Sequence, residues 1–443
     1  MAFLDRIPTE NPPPTSTAWM NPARAIAIIA VVAIHSLGTV VEENFASSGP
    51  DWWLANTIDS ACRWSVPVFI MISGALALDP DRGSKPRKFL SKRVWRIGIP
   101  LVFWTVVYVL FRRYYLQPDD DTWNPGIAIL TGSPFVQLYF LYVLAGLTLL
   151  TPFFRLLSVH GSRRLQWGTG LIFLGVGMTD QWVSMVFDVG EANIATRFLP
   201  MAGFYILGWV LRDIVLSVRG AVLAWVSLII AVTGTAVWAG LGPGEKPWMF
   251  PYEYLAPGVV LASMAAYLLL HFHLREGFGL LHRFYPYSFG VFLLHPLLLY
   301  PVRNAMGLPD TVPGVLLHAV IMPIAYAIVC AAITWVAVKI PGLRAVFGES
   351  RPRNPHTRPR VKKLRPGAKG PHLSRRRPRK KRRHPSRPGA ALSRPISAQK
   401  TPHAAESRVR RLNLNRRAPL PESRLKPADR SDEGEHRWKS SEQ

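Results

Sequence analysis

Cysteine is scarce: Cys62 and Cys330 are the only two, and both fall inside apolar runs. A pair so placed makes no disulfide framework, which excludes a small cystine-stapled secreted fold, and both read as small packing side chains. No GxxxxGK[ST] phosphate loop occurs, which argues against ATP-driven transport. No metal-ligand spacing occurs either. His271 and His273 are two apart, which on a helix sends them to different faces. Residues 1–20 are polar and Pro-rich and lack the short apolar core and cleavage site of a signal peptide. The first helix is therefore expected to serve as an uncleaved signal anchor.

Acidic residues are also few, 27 against 53 Lys and Arg, and the imbalance is local. Residues 351–443 hold 29 of the basic and 7 of the acidic residues, so +22 of the net +26 sits there. Residues 1–350 are nearly neutral and strongly apolar, and the mean hydropathy stays positive at +0.14 with the tail averaged in. That combination implies a polytopic membrane protein. Three segments are expected: a polar start over 1–20, a transmembrane domain over 21–350, and a Pro/Arg-rich tail over 351–443. Proline blocks helices and dense like charge opposes compaction, so the tail is expected to be disordered. It suits contact with anionic inner-leaflet lipids, and nothing patterned in it specifies nucleic acid. The other reading gives the tail no role, or makes it an aberrant extension of the reading frame.

Apolar runs predict ten spans, near 22–41, 58–78, 97–116, 134–154, 167–187, 198–216, 221–240, 255–272, 286–303 and 314–338. The fold class is therefore all-α, a polytopic helix bundle of about ten transmembrane helices. The loop between spans two and three carries Arg82, Lys85, Arg87, Lys88, Lys92, Arg93 and Arg96, which makes it cytoplasmic by the positive-inside rule. Arg155, Arg163, Arg164, Arg212, Arg219, Arg275 and Arg283 fall in the other loops then predicted inside. The opposite loops hold Glu42, Glu43, Asp51, Asp119, Asp120, Asp121, Asp188 and Glu191. One multi-pass topology, with both termini cytoplasmic and the cell membrane as location, accommodates every loop.

The first span, NPARAIAIIAVVAIHSLGTVV over 21–41, is apolar except for Arg24 and His35. Eleven residues at 100° each make three turns plus about 20°, so the two share one face, roughly 16 Å apart along the axis. A histidine that deep in lipid faces protein or a water-filled cavity. It either bridges helices or does chemistry. In span two, Arg63 lies at a depth similar to that of His35, and Asp59 precedes it by four on the same face. The pair is expected to neutralise itself, with Arg63 also able to meet an anionic or hydroxyl-rich acceptor. Arg24 either snorkels to headgroups or pairs phosphates bidentately. Arg93 and Arg96, three apart, can complete a phosphate cradle or serve as topology and lipid contacts. Lys92, Arg87 and Lys88 read as topology signals.

Gly74 reads as a close-packing residue, whereas Ser73 can bond a neighbouring helix or line a channel. Pro296 frees a carbonyl one turn back, and His295 is expected to satisfy it structurally. Trp52, Trp53, Trp95 and Trp123 read as interface anchors.

These features stand in a particular order. Arg-x10-His in span one is followed by RWSVPVFIMISGAL over 63–76, FLSKRVWRIGIP over 89–100 and FGVFLLHPLLL over 289–299. The order resembles the acyltransferase-3 family of integral-membrane O-acyltransferases, over about residues 18–348, and is closest to its stand-alone surface-polysaccharide O-acetyltransferase branch. The resemblance implies transfer of an acyl group, acetyl by the family's habit, from cytoplasmic acyl-CoA to a hydroxyl of a glycan or lipid-linked sugar. It implies no bound cofactor, His35 as the catalytic residue, and Arg24, Arg93 and Arg96 on the donor. Arg63, Ser73 and His295 would then line the acceptor site or the channel. The same helices with intramembrane His, Arg and Asp also suit a proton-coupled transporter or a flippase of lipid-linked sugars. No matching pair of broken helices in two halves is visible in the sequence to favour that alternative.

Overall fold

The computed structural model describes residues 17–45, 49–81, 86–116, 123–187, 193–242, 248–274 and 279–349. The chain divides into two units, 1–361 and 362–443, and every described residue lies in the first. The tail over 351–443, most of the 1–20 segment, and the loop charges Arg82, Lys85, Asp119, Asp120, Asp121, Asp188, Glu191 and Arg275 lie outside the described residues.

The described residues are helical and contain no strand. The first five helices are α1 (Met20–Glu43), α2 (Pro50–Cys62), α3 (Ser65–Ala77), α4 (Pro86–Arg93) and α5 (Ile99–Phe111). Next come α6 (Pro125–Leu130), α7 (Tyr139–His160), α8 (Arg163–Phe187), α9 (Ala202–Leu211) and α10 (Val218–Gly240). The last five are α11 (Pro257–His273), α12 (Gly279–Phe284), α13 (Ser288–Met306), α14 (Val312–Leu316) and α15 (Met322–Ala337).

Among the described residues, eight helical segments are long and apolar enough to cross a membrane. The outward faces of α5, α8, α10 and α15 expose Phe103, Val106, Ile172, Val176, Ile229, Ile230, Ile328 and Ile333. Apolar surface on that scale suits lipid rather than water. Every predicted span falls on a helix, but three differ from expectation; the ninth, α13, with His295, Pro296, Pro301 and Arg303 in its 19 residues, is not among those eight. The sixth shrinks from 198–216 to the ten residues of α9, about 15 Å of helix, half a bilayer core. Pro200 ends helix propagation on one side, and on the other Arg212 and Asp213 turn into an ion network. All ten residues of α9 are buried.

Span two begins eight residues earlier than expected, at Pro50, and breaks at Arg63 and Trp64 between α2 and α3. Helix is also interrupted by wider π turns at Val94–Gly98 and Leu317–Ile321. The interruptions that hydropathy did not reveal are thus present. They lie in spans two, three and ten.

Close packing is set by small residues. A Cβ on Gly74 would sit 1.8 Å from the Tyr205 carbonyl oxygen, and one on Gly208 would sit 2.0 Å from that of Met71. The reciprocal approach lets α3 and α9 meet backbone to backbone, so Gly74 is a packing residue as expected. Trp52 departs from expectation. It is fully buried, with Nε1 donating to the Val41 carbonyl at 2.9 Å, and so ties α2 to the end of α1 instead of anchoring at the interface. Trp53 and Trp95 are exposed. Cys330 is buried and unpaired, a packing residue, and Cys62 is likewise free.

Candidate functional site

α1 runs unbroken from Arg24 to His35, and its polar face meets the Tyr285–Tyr287 turn and then α13, which follows it. At the first, near the start of α1, Arg24 Nη1 donates to the Tyr285 hydroxyl at 3.1 Å. Arg93 gathers the remaining cations: Arg24, Arg96 and Arg155 all act on its charge. The Phe89 ring separates two of them, with its centroid 5.2 Å from the Arg93 guanidinium and 4.5 Å from that of Arg155. Arg155 also donates from Nε to the Ala77 carbonyl at 2.7 Å, which fixes it at the end of α3. Among the described residues none of these four arginines has a carboxylate partner. Neighbouring arginines with no carboxylate in contact among the described residues repel one another, a charge arrangement that suits a polyanion.

The structure thus brings Arg24, Arg93 and Arg96 together, as the sequence suggests, and adds Arg155. The sequence places Arg155 in a loop of topology charges, and only the α4–α7 packing reveals its position.

Eleven residues along α1, about 16 Å on, stands His35. Its neighbours Ile34 and Ser36 are buried, and His35 as a whole residue is partly so. His295 of α13, expected to be structural, faces it: the ring centroids are 5.1 Å apart and the planes tilt by 32°. His295 is fully buried. Its Nδ1 lies 3.0 Å from the Val291 carbonyl, whereas the carbonyl that Pro296 frees is that of Phe292, and its Nε2 is buried without a partner. Ser73 is partly accessible on α3, and no contact ties it to the histidine pair.

Beyond the histidines the charges change character. Arg63 Nε lies 2.6 Å from Asp59 Oδ2, the expected self-neutralising pair, while Asp59 Oδ1 is buried without a partner. Arg63 also stacks over the Tyr252 ring at 4.7 Å and reaches the Tyr252 carbonyl at 3.4 Å. Tyr252 donates to Asn56 at 2.7 Å, and Asn56 in turn donates to Ala236, which joins α2 to α10. The adjoining non-helical turn offers Glu253, within electrostatic reach of Arg63 and Arg197, and Tyr254 stacked on Tyr139 at 6.1 Å. Arg63 also lies within electrostatic reach of His35. Glu253, Tyr254 and Tyr139 went unnoticed in the sequence because nothing local distinguishes them.

These polar groups make a track in the sequence order of α1: a cationic group at its start, the histidine pair eleven residues on, and the paired charges and tyrosine faces around Arg63. No group of three or more His, Cys, Asp or Glu among the described residues could hold a metal ion.

Comparison with known proteins gives one family. The model of the acyltransferase domain of the acyltransferase-3 family matches residues 17–340, which include every residue of this track. No curated protein and no solved structure matches.

Proposed function

The chain belongs to the acyltransferase-3 family and is a multi-pass membrane acyltransferase, and on that premise we propose that it moves an acetyl group from acyl-CoA to a sugar hydroxyl. The observation that carries this reading is the arginine quartet without counter-ions, set eleven residues before His35 on one helix face. A charged donor does not cross lipid. Its phosphates stay with Arg24, Arg93, Arg96 and Arg155, and its pantetheine arm runs along α1 to carry the thioester to His35. Arginine suits that task because its planar fork pairs phosphate oxygens two at a time.

At His35 the acceptor oxygen attacks the thioester carbonyl carbon, a C–O bond forms and the C–S bond breaks. Histidine takes the hydroxyl proton and hands it to the departing sulfur, which leaves as the CoA thiol. An acyl-histidine relay achieves the same balance in two steps: the ring nitrogen attacks first and the hydroxyl second. The acceptor approaches from the other end. Paired charges at Arg63, Asp59 and Glu253 together with the Tyr139–Tyr254 faces suit a polyhydroxylated glycan or a lipid-linked sugar. Ser73 fits this reading as a channel-lining hydroxyl. The family match weighs against the transporter alternative, despite the helix interruptions in spans two, three and ten.

The donor assignment has a direct test. Purified protein in lipid nanodiscs is expected to release CoA thiol from labelled acetyl-CoA. Arg24→Ala, Arg93→Ala, Arg96→Ala and Arg155→Ala should each raise the donor KM, by about tenfold for a lost charge-assisted bond of roughly 1.5 kcal/mol. Arg24→Lys should recover only part, since ammonium lacks the fork. Unchanged KM in all four, or no thioester cleavage by the wild type, would remove the acyl-CoA reading.

Orientation follows from the basic loops, which put both termini on the cytoplasmic side of the cell membrane. Reporter fusions after residue 350 and within the 44–49 loop are expected to report opposite faces. Reports from the same face would sink that topology and put the arginine quartet on the wrong side for its donor.

A further inference from the structure

The histidine pair contains an atom that the reaction above does not use. His295 Nδ1 lies 3.0 Å from the Val291 carbonyl. A carbonyl oxygen only accepts, so in the neutral ring Nδ1 carries the hydrogen and Nε2 is a bare lone pair. That Nε2 is buried and has no hydrogen-bond partner. Buried acceptors are nearly always satisfied, and an exception calls for a use. The group across from it is the His35 ring, 5.1 Å away between centroids. Two imidazoles joined by a linear N–H···N bond of about 2.9 Å, with each ring adding roughly 1.1 Å, have that same separation.

We propose that His295 is a positioning residue for His35: its Nε2 accepts the His35 ring N–H, fixes which His35 nitrogen is protonated, and turns the other, bare nitrogen toward the acceptor hydroxyl. This rests on the reading of His35 as the group that takes the acceptor proton. Before the reaction His35 is neutral, with one N–H committed to His295. As the hydroxyl oxygen attacks the thioester carbon, its proton moves to the free His35 nitrogen. The imidazolium so formed keeps its other N–H on His295, which stays neutral throughout. The proton then passes to the departing sulfur, and the pair returns to its starting state. The residue that acts on the base is thus itself a neutral histidine held by a backbone carbonyl, where a water-exposed enzyme can use a carboxylate. A neutral partner suits a site buried among helices, because it adds no second buried charge.

Two amides separate this role from simple packing, because each replaces a different ring nitrogen. Asparagine puts its amide nitrogen near the Nδ1 position and keeps the Val291 tie, but has no atom at Nε2. Glutamine reaches the Nε2 position with an amide oxygen and restores an acceptor there. The experiment measures CoA-thiol release from acetyl-CoA by the full-length protein in nanodiscs, together with donor KM and the thermal midpoint. His295→Asn is expected to lower kcat by about 10², the effect of a mis-set catalytic group, with KM and midpoint unchanged. His295→Gln should recover most of the rate. Near-normal turnover in His295→Asn with loss in His295→Gln would leave only the Val291 tie and overturn the proposal. Equal loss in both variants with a lowered midpoint would assign His295 to packing and overturn it too. His35→Ala, run alongside, tells the two levels apart. If it turns over normally, the reading of His35 fails. If it is inactive while His295→Asn is normal, the positioning role alone fails. The double variant His35→Ala/His295→Asn should be no slower than His35→Ala, and additive losses would show that His295 acts independently.

Discussion

His35→Ala is expected to reduce acyl transfer by roughly 10² to 10⁴ while expression, membrane insertion and donor binding persist. The grounds are its place on the Arg24 face of α1 and its pairing with His295. Loss of an obligatory acyl relay would lower the rate further. His35→Gln is the sharper form, because glutamine keeps hydrogen bonding but takes no proton. If His35 only bridged helices, glutamine would retain much of the activity and alanine would lower the thermal midpoint instead. Turnover of purified variants with labelled acetyl-CoA, beside a thermal melt, separates these outcomes. A stable His35→Gln protein near wild-type turnover would refute the catalytic role and return the transporter reading to contention.

Asp59→Ala should give the largest loss of stability. Asp59 is fully buried and Arg63 only 14% exposed at the side chain, with 2.6 Å between their charged atoms. Removing the carboxylate leaves a nearly enclosed guanidinium without its partner, at an expected cost of about 3–5 kcal/mol. Replacing both, as Asp59→Ala/Arg63→Met, should recover most of that loss, because an apolar pair leaves no stranded charge. Melting of the two variants in nanodiscs checks the order. A double variant less stable than Asp59→Ala would show that Arg63 is held by Tyr252 and Glu253 independently of Asp59. The double variant is also informative about function. If Arg63 meets the acceptor, it should be stable yet slow to transfer.

What the sequence made legible was local. Arg24 and His35 fall on one face because eleven residues nearly complete three turns, and Asp59 and Arg63 pair because four residues make one turn. Spans emerged from apolar runs for the same reason. What remained hidden was set by packing between distant segments. His295 and His35 are separated by 260 positions, and no periodicity in either helix announces the other. Arg155 looks like any loop arginine until α4 brings Phe89 against it. Trp52 has the composition of an anchor and becomes a buried tie only when α2 folds back on α1. The shortness of α9 was masked because Phe198, Leu199 and Met201 precede it and Ile214, Val215 and Leu216 follow the Arg212–Asp213 pair, so hydropathy reads a full span where the backbone makes ten helical residues.

The unbroken course of α1 has a consequence for which donors can be used. Pro, Gly pairs or a π turn between Arg24 and His35 would give the helix a place to bend, and the stretch contains none of them. The rise per residue therefore makes α1 a fixed ruler of about 16 Å from the first arginine to the histidine. If the arginines hold the donor's phosphates, as proposed, a carrier with a truncated arm leaves its carbonyl short of the ring however tightly its phosphates are held. Lengthening the acyl chain would not alter that fit, because the extra carbons extend beyond the mark. On that proposal, selection of the carrier and selection of the cargo are written in different parts of the protein, and an exchange of one acyl group for another needs change only beyond His35.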